Sequence, residues 1–339
     1  MKTQPAAEPN FAELEAVIKG ERKPSRVYLV ELGIDDEVKR SIIENVFHEQ
    51  WVPLTDQTRA RYARQAVDFH ARMGYDYAMA WVEFENMPQF NARTAADTAE
   101  LSRGERRWVD EGGGIVKNWG DFEKIHWDEI HADFGWLDAL RQAAPDGMKL
   151  VVGTTVFEMI LEWFFGYEDL FILSVDNPKL VEAVFKSWGQ KVFEFYEQAI
   201  QYPEVGAIFH ADDLGFKTAT MMSPEFLRKN LFPWFREYAA LAHEHGKTYW
   251  YHCCGNVLNV MDDLIEDVKI DAFHSFQDVI IPIGRFAERY GDRVAALGGV
   301  DMDKLARMEE DDLRAYVAET SRRKLKPLRL EKSVIMQGE

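Results

Sequence analysis

The sequence predicts an α/β fold on one parallel sheet, closed into a (β/α)8 TIM barrel with its site at the C-terminal rim of the strands. Three observations predict it. Strand-like and helix-like segments alternate along most of the chain, the pattern that crossover connections impose on parallel strands. About eight strand segments can be counted, which is what a closed barrel needs. Their apolar runs are short and lack polar alternation, as in strands covered on both faces. A doubly wound open sheet is the alternative, but it commonly has fewer strands.

The elements follow in order. Residues 1–10 read as a frayed tail and 11–20 as a short amphipathic helix. "PSRVYLVELGIDD" (24–36) is extended and apolar and ends in a turn, and 35–47 has helical spacing. A helix over 58–73 runs through Gly74 into the buried-strand segment "YDYAMAWVEF" (75–84). Residues 86–112 are polar and irregular, and "GGGIVKNWG" (112–120) is expected to hold a further strand. "WLDALRQAA" is a helix stopped by Pro145-Asp146-Gly147, before the strand "MKLVVGTT" (148–155). Helices near 157–173 and 178–201 precede the strand "VGAIFHADD" (205–213). A long helix over about 224–245 starts at Ser223 as N-cap and Pro224 at the first helical position. The strands "KTYWYHCC" (247–254), "IDAFHSF" (270–276), "RVAALGGVD" (293–301) and "KSVIMQ" (332–337) follow, with helices over 257–267, 283–291 and 310–325 between them. A regular barrel closes with a helix after its last strand. Here Glu339 follows at once, so either the chain is truncated or another element covers that side.

A chain of 339 residues would allow two domains, but α/β barrels of this size are single units. Residues 1–339 are therefore read as one barrel domain, with 1–57 as an N-terminal extension packing on it. The formal net charge of -18 disfavours nucleic acid and anionic lipid as partners. No apolar run reaches the roughly 18–20 residues of a membrane span. The two cysteines are adjacent and form no disulfide framework, and "MKTQPAAEPN" has no signal-peptide core. A cytoplasmic location is expected. A homodimer is the expected assembly from base rates alone. No phosphate-cradling glycine motif is present.

Chemistry in parallel α/β folds gathers where strands end. Here the strand ends carry Glu83 and Glu85, His210 with Asp212 and Asp213, His252 with Cys253 and Cys254, His274 with Gln277, and Asp301. Each has a plainer reading beside the functional one. Asp301 can be a helix N-cap. His274 can be a satisfied half-buried histidine. One of the Asp212–Asp213 pair can cap a turn while the other faces the pocket. Glu83 and Glu85 share one face of a strand, and at least one is expected to be solvated. His252 and Cys254 lie two apart on an extended chain and point the same way, an imidazole and a thiol suited to Zn²⁺. Cys253 points the other way and is expected to be structural, as a buried small hydrophobe.

The stretches "HADDLGFKTATMMSPEFLRKNLFPWF" (210–235), "HGKTYWYHCCGNVLNVMDDLIED" (245–267), "IDAFHSFQ" (270–277) and "GDRVAALGGVDMDKL" (291–305) resemble the uroporphyrinogen decarboxylase superfamily. They look most like its corrinoid-dependent methyltransferase branch. Weaker similarity reaches back to "GERKPSRV", so the resemblance covers most of the chain. It implies a (β/α)8 barrel with a C-terminal-rim pocket. It also implies zinc held by His252, Cys254 and a third, C-terminal ligand, where the family has cysteine after glycine and this chain has Gly338-Glu339. Glu339, or an aspartate of the Asp212–Asp213 pair, is the expected third ligand. The arginine-rich N-terminal motif of true decarboxylases is absent from "RKPSRVYLVELGIDD" (22–36).

The resemblance implies a zinc-dependent methyltransferase working between a corrinoid (methylcobalamin) carried by a partner protein and a small acceptor such as a thiol or folate. Asp212, Asp213 and His252 would act in catalysis. Glu83, His210, Trp250, His274, Gln277 and Asp301 would line the substrate pocket. A metal-free porphyrinogen carboxy-lyase is the first alternative. A non-catalytic barrel that binds a corrinoid protein or its ligand is the second.

Overall fold

The computed structural model describes residues 8–89, 92–98, 104–109, 113–325 and 335–336. Its centre is a parallel layer. The strands are β1 (Tyr28–Leu29), β2 (Tyr77–Trp81), β3 (Lys149–Gly153), β4 (Val205–Ala211), β5 (Thr248–His252), β6 (Ala272–His274), β7 (Ala295–Ala296) and β8 (Ile335–Met336). β2 to β7 form one six-stranded sheet in chain order. β1 pairs with β8 and is bridged to the start of β2 through Leu29 and Tyr75. The strand order is thus β8-β1-β2-β3-β4-β5-β6-β7, which is barrel-like. No ladder joins β7 to β8 among the described residues, so the expected closure is not observed. Residues 326–334 and 337–339, on either side of β8, lie outside the described residues.

Both faces of the layer are buried, which explains the unalternated apolar strands. One face packs Tyr28, Tyr77, Val151, Ala207, Phe209, Trp250, Ala272 and Ala295 into an inner cluster. The helix Phe11–Ile18 adds Phe11, Leu14, Val17 and Ile18 to it. Phe11 stacks on Trp250 with ring centroids 6.1 Å apart, and its N–H donates to Gly147 O at 2.9 Å. The other face, with Leu150, Val152, Ile208, Tyr249 and Tyr251, packs under the helices, chiefly Pro178–Ala199 and Phe232–Glu244. The segment 1–57 thus contributes both β1 and a helix packed against the interior. None of the described helices is long and apolar enough to cross a membrane.

Some connections depart from expectation. Residues 113–118 are not a strand. Gly114 N and Val116 N donate to Phe165 O and Phe164 O, and a side chain at 114 would strike the Phe165 backbone at 2.0 Å. The expected helix over 157–173 is broken. It runs as Phe157–Met159, a π-helical turn Ile160–Phe165, then Tyr167–Asp176, with Gly166 at φ 80° between. The helix expected over 224–245 breaks at Leu231, because Pro233 starts a new helix at Phe232. The irregular region after β2 holds a ribbon Glu83–Glu85 with His131–Asp133 and a hairpin Ala92–Ala96 with Glu105–Val109.

The helix Arg59–Met73 carries a pH-sensitive group. His70 is half-buried, with Nδ1 2.6 Å from Ala66 O and its ring against Tyr75. Burial, helped by the Lys39 charge and opposed by the Ala66 carbonyl, holds its pKa down at about 4. An unfolded chain protonates this histidine near pH 6.5, so the unfolded state binds more protons between the two values. Stability is therefore expected to fall as pH drops from about 6.5 to 4, by roughly 2 kcal/mol after allowing for partial exposure. Urea titrations at pH 7 and pH 4.5 measure it, and a His70→Gln variant that keeps the full pH loss would assign the effect elsewhere.

Candidate metal centre

Strand periodicity places the central residues. On β5, Trp250 and His252 share the inner face, and His252 lies in register between Ala211 of β4 and His274 of β6. Cys254 continues the alternation just past the strand. The chain then turns at Gly255, φ 82°, where a side chain would meet Gly215 O at 2.0 Å. That close approach lets Asn256 N donate to Phe216 O at 2.7 Å, clamping the loop after β5 to the loop after β4. Asp213, on the β4 loop, thereby meets Cys254, whose N–H donates to Asp213 Oδ1 at 2.6 Å. A Gly255→Ala exchange is expected to cost at least about 2 kcal/mol, from the positive φ and the collision together. Chemical denaturation measures it; a loss within error of zero would show that the clamp is soft.

Ligand atoms of Asp213, His252 and Cys254 all lie within 4.8 Å of one another. His252 Nε2 is 3.6 Å from Cys254 Sγ and 3.5 Å from Asp213 Oδ1. Tetrahedral zinc with ordinary bond lengths sets its N and S ligands about 3.6 Å apart and its N and O ligands about 3.4 Å apart. The spacing fits. The other ring nitrogen, His252 Nδ1, is 2.6 Å from His274 Nδ1. One of the two donates, so the buried His274 fixes the ring and aims Nε2 at the other two donors, as partners behind metal ligands do.

Burial and neighbouring charges shift the groups of the site. Burial pushes the Cys254 thiol up to about 12, with the Asp213 charge adding to it. Burial also works to raise Asp213. The hydrogen bond and charge of His252 and the Cys254 N–H outweigh it and hold that carboxyl below its usual range. Glu158 stands beside them, near enough to feel the Asp213 charge. Burial, then the charges of Asp212, Asp213 and Glu162, push it up to about 9. Glu158 was not among the expected site residues. Its signal was present, since it stands just past the end of β3, where chemistry collects.

The other expected residues are placed as follows. Asp212 is fully buried and turned away from the centre, accepting from Val156 N and Glu158 N at 3.0 Å and from His210 Nε2 at 2.9 Å. His210 faces the helices, not the pocket, because it alternates with the inner-facing Phe209. Trp250 is fully buried in the inner cluster. Neither His210 nor Trp250 has surface to offer a substrate. Asp301 caps the helix Met302–Arg307, and its second oxygen accepts from Asp278 N at 2.7 Å. Gln277 is exposed, and its carbonyl accepts from Ile280 N and Ile281 N. Glu83 is exposed on the antiparallel ribbon, opposite Asp133. Glu339 lies outside the described residues. Cys253 is buried, and its Sγ accepts from Leu214 N at 3.2 Å.

The fold is shared with a solved protein, a methyltransferase from Methanosarcina mazei. The TM-score is 0.59, over 87% of this chain and 83% of that one, at 13% identity. What the two share is the fold. No protein-family model and no curated protein matches the sequence.

Proposed function

We propose that this protein is a zinc-dependent methyltransferase that moves a methyl group between a corrinoid carried by a partner protein and a small acceptor such as a thiol. The observation that carries the proposal is the spacing of Asp213 Oδ1, His252 Nε2 and Cys254 Sγ at the strand ends. It stands on a fold that a methyltransferase also has. Three protein ligands leave one position free, the arrangement of catalytic rather than structural zinc. When bound, zinc would lower the pKa of an incoming thiol so that the thiolate is present at neutral pH.

The chain's own residues do the rest. His252, Cys254 and Asp213 hold the ion, and His274 keeps the imidazole aimed. Glu158, buried beside Asp213, lies where it can exchange hydrogen bonds with a group entering next to the ion. Burial and the carboxylates Asp212, Asp213 and Glu162 dominate around Glu158, and after burial Asp213 acts most strongly on Cys254. That neighbourhood suits a metal and ill suits a polycarboxylate, which ranks the porphyrinogen carboxy-lyase reading second.

The test is metal analysis of protein purified without chelators or affinity metals, followed by incubation with methylcobalamin and a small thiol. About one zinc per chain and thiol-dependent loss of the methylcobalamin spectrum are expected. Metal-free protein that converts uroporphyrinogen to coproporphyrinogen would replace this reading with the carboxy-lyase.

A further inference from the structure

Behind the metal centre lies a buried chain of polar side chains that reaches no solvent. Tyr196 stands on the helix Pro178–Ala199. Its hydroxyl is 2.9 Å from His210 Nδ1, and His210 Nε2 is 2.9 Å from Asp212 Oδ2. Both carboxyl oxygens of Asp212 take the Val156 N–H at 3.0 Å, and Oδ1 also takes the Glu158 N–H at 3.0 Å. Backbone N–H groups can only donate, so both carboxyl oxygens accept. His210 then carries its proton on Nε2, and Tyr196 must donate to Nδ1. Every donor in the chain points one way, and each has a partner.

The Asp212 end of the chain grips the turn after β3 through the N–H groups of Val156 and Glu158. Asp212 also ties in the neighbouring strand end, since its own N–H donates to His252 O at 3.1 Å and its carbonyl accepts from Tyr251 OH at 3.0 Å. One residue therefore connects the Glu158 turn, the Asp213 loop and the His252 strand. His210 and Asp212 have no exposed surface, and Tyr196 is fully buried. None of the three has surface to offer an ion or a substrate.

We infer that Tyr196, His210 and Asp212 form a clasp of positioning residues that sets the spacing of the ligands Asp213 and His252 and of Glu158 beside them. The inference rests on the metal reading of the site and assigns the clasp no chemical step. Losing a partner behind a metal ligand costs about 10–100-fold in metal affinity. Tyr196→Phe removes only the hydroxyl and keeps the ring. Asp212→Asn replaces one acceptor with a donor and forces the chain to reverse. Tyr249→Phe is the control. It removes a buried hydroxyl from the same aromatic cluster, one with no hydrogen-bond partner.

Cobalt(II) serves as the probe, because its visible bands report coordination geometry as well as occupancy. Tyr196→Phe and Asp212→Asn are expected to bind cobalt about tenfold or more weakly with altered bands, while Tyr249→Phe matches the parent. Hydrogen–deuterium exchange of the peptide spanning 154–159 should quicken in the first two variants only. Parent-like cobalt affinity and bands in both clasp variants would overturn the inference and leave the metal reading intact. If the parent itself binds no cobalt or zinc, the metal reading falls instead. The exchange experiment then decides the clasp alone: quickened exchange upholds it, and unchanged exchange overturns it.

Discussion

Replacing His252 with alanine is expected to reduce bound zinc from about one ion per chain to below about a tenth, and methyl transfer by roughly 100-fold or more. Three protein ligands are the minimum for this kind of site, so losing one leaves a pair that water outcompetes. The fold should survive. His252 stands at the rim with its side chain 12% exposed, and the principal structural loss is the partner of His274, worth about 1–2 kcal/mol. Elemental analysis after dialysis and loss of the methylcobalamin spectrum are the measurements. Asp213→Ala should behave alike if Asp213 is the third ligand. Parent-level zinc in Asp213→Ala together with loss in Glu339→Ala would return that role to the C-terminal residue.

The second large effect is on stability. Trp250→Ala is expected to cost about 3–5 kcal/mol, the range for emptying a buried aromatic site. Trp250 is fully buried and touches Phe11, Tyr77 and Phe209, with centroids at 6.1, 5.5 and 5.5 Å. Its indole N–H donates to Thr248 Oγ1 at 2.8 Å. The ring joins the N-terminal helix to three strands, so little can collapse into the space it leaves. Guanidinium denaturation measures the loss, and Trp250→Phe should lose clearly less. A cost below about 1 kcal/mol for the alanine variant would mean that the inner cluster closes over the gap.

The parts of this molecule that were legible in the sequence are those that strand periodicity controls. In "TYWYHCC" a period of two is enough to put His252 and Cys254 on one face and Cys253 on the other. The Asp212–Asp213 pair was legible in kind, as one anchor and one pocket residue, but not in assignment. Which of the two faces inward depends on where β4 ends, and strand ends are set by tertiary contacts. Glu158 was missed because its position comes from a hydrogen-bonded turn, which leaves no periodic trace. "GGGIVKNWG" was misread for a related reason. Its Gly114 serves close approach to the Phe165 backbone, which short-range patterns do not distinguish from a strand. The broken helices were hidden too, because an apolar helical period continues across Gly166 and Leu231 while the backbone does not.

The helix Phe11–Ile18 has a consequence for how the chain folds. Its partners are spread over the sequence that follows, from Tyr28 and Tyr77 to Trp250 and Leu297. Lys19 Nζ donates to Gly246 O, 227 residues further along, and Phe11 waits for Trp250. Until β5 is in place, the helix can pack on Tyr28, Tyr77 and Val151, but the side of Phe11 that stacks on Trp250 stays open. The helix is therefore fully covered only when segments far apart along the chain have met, and long-range contacts of this kind slow folding.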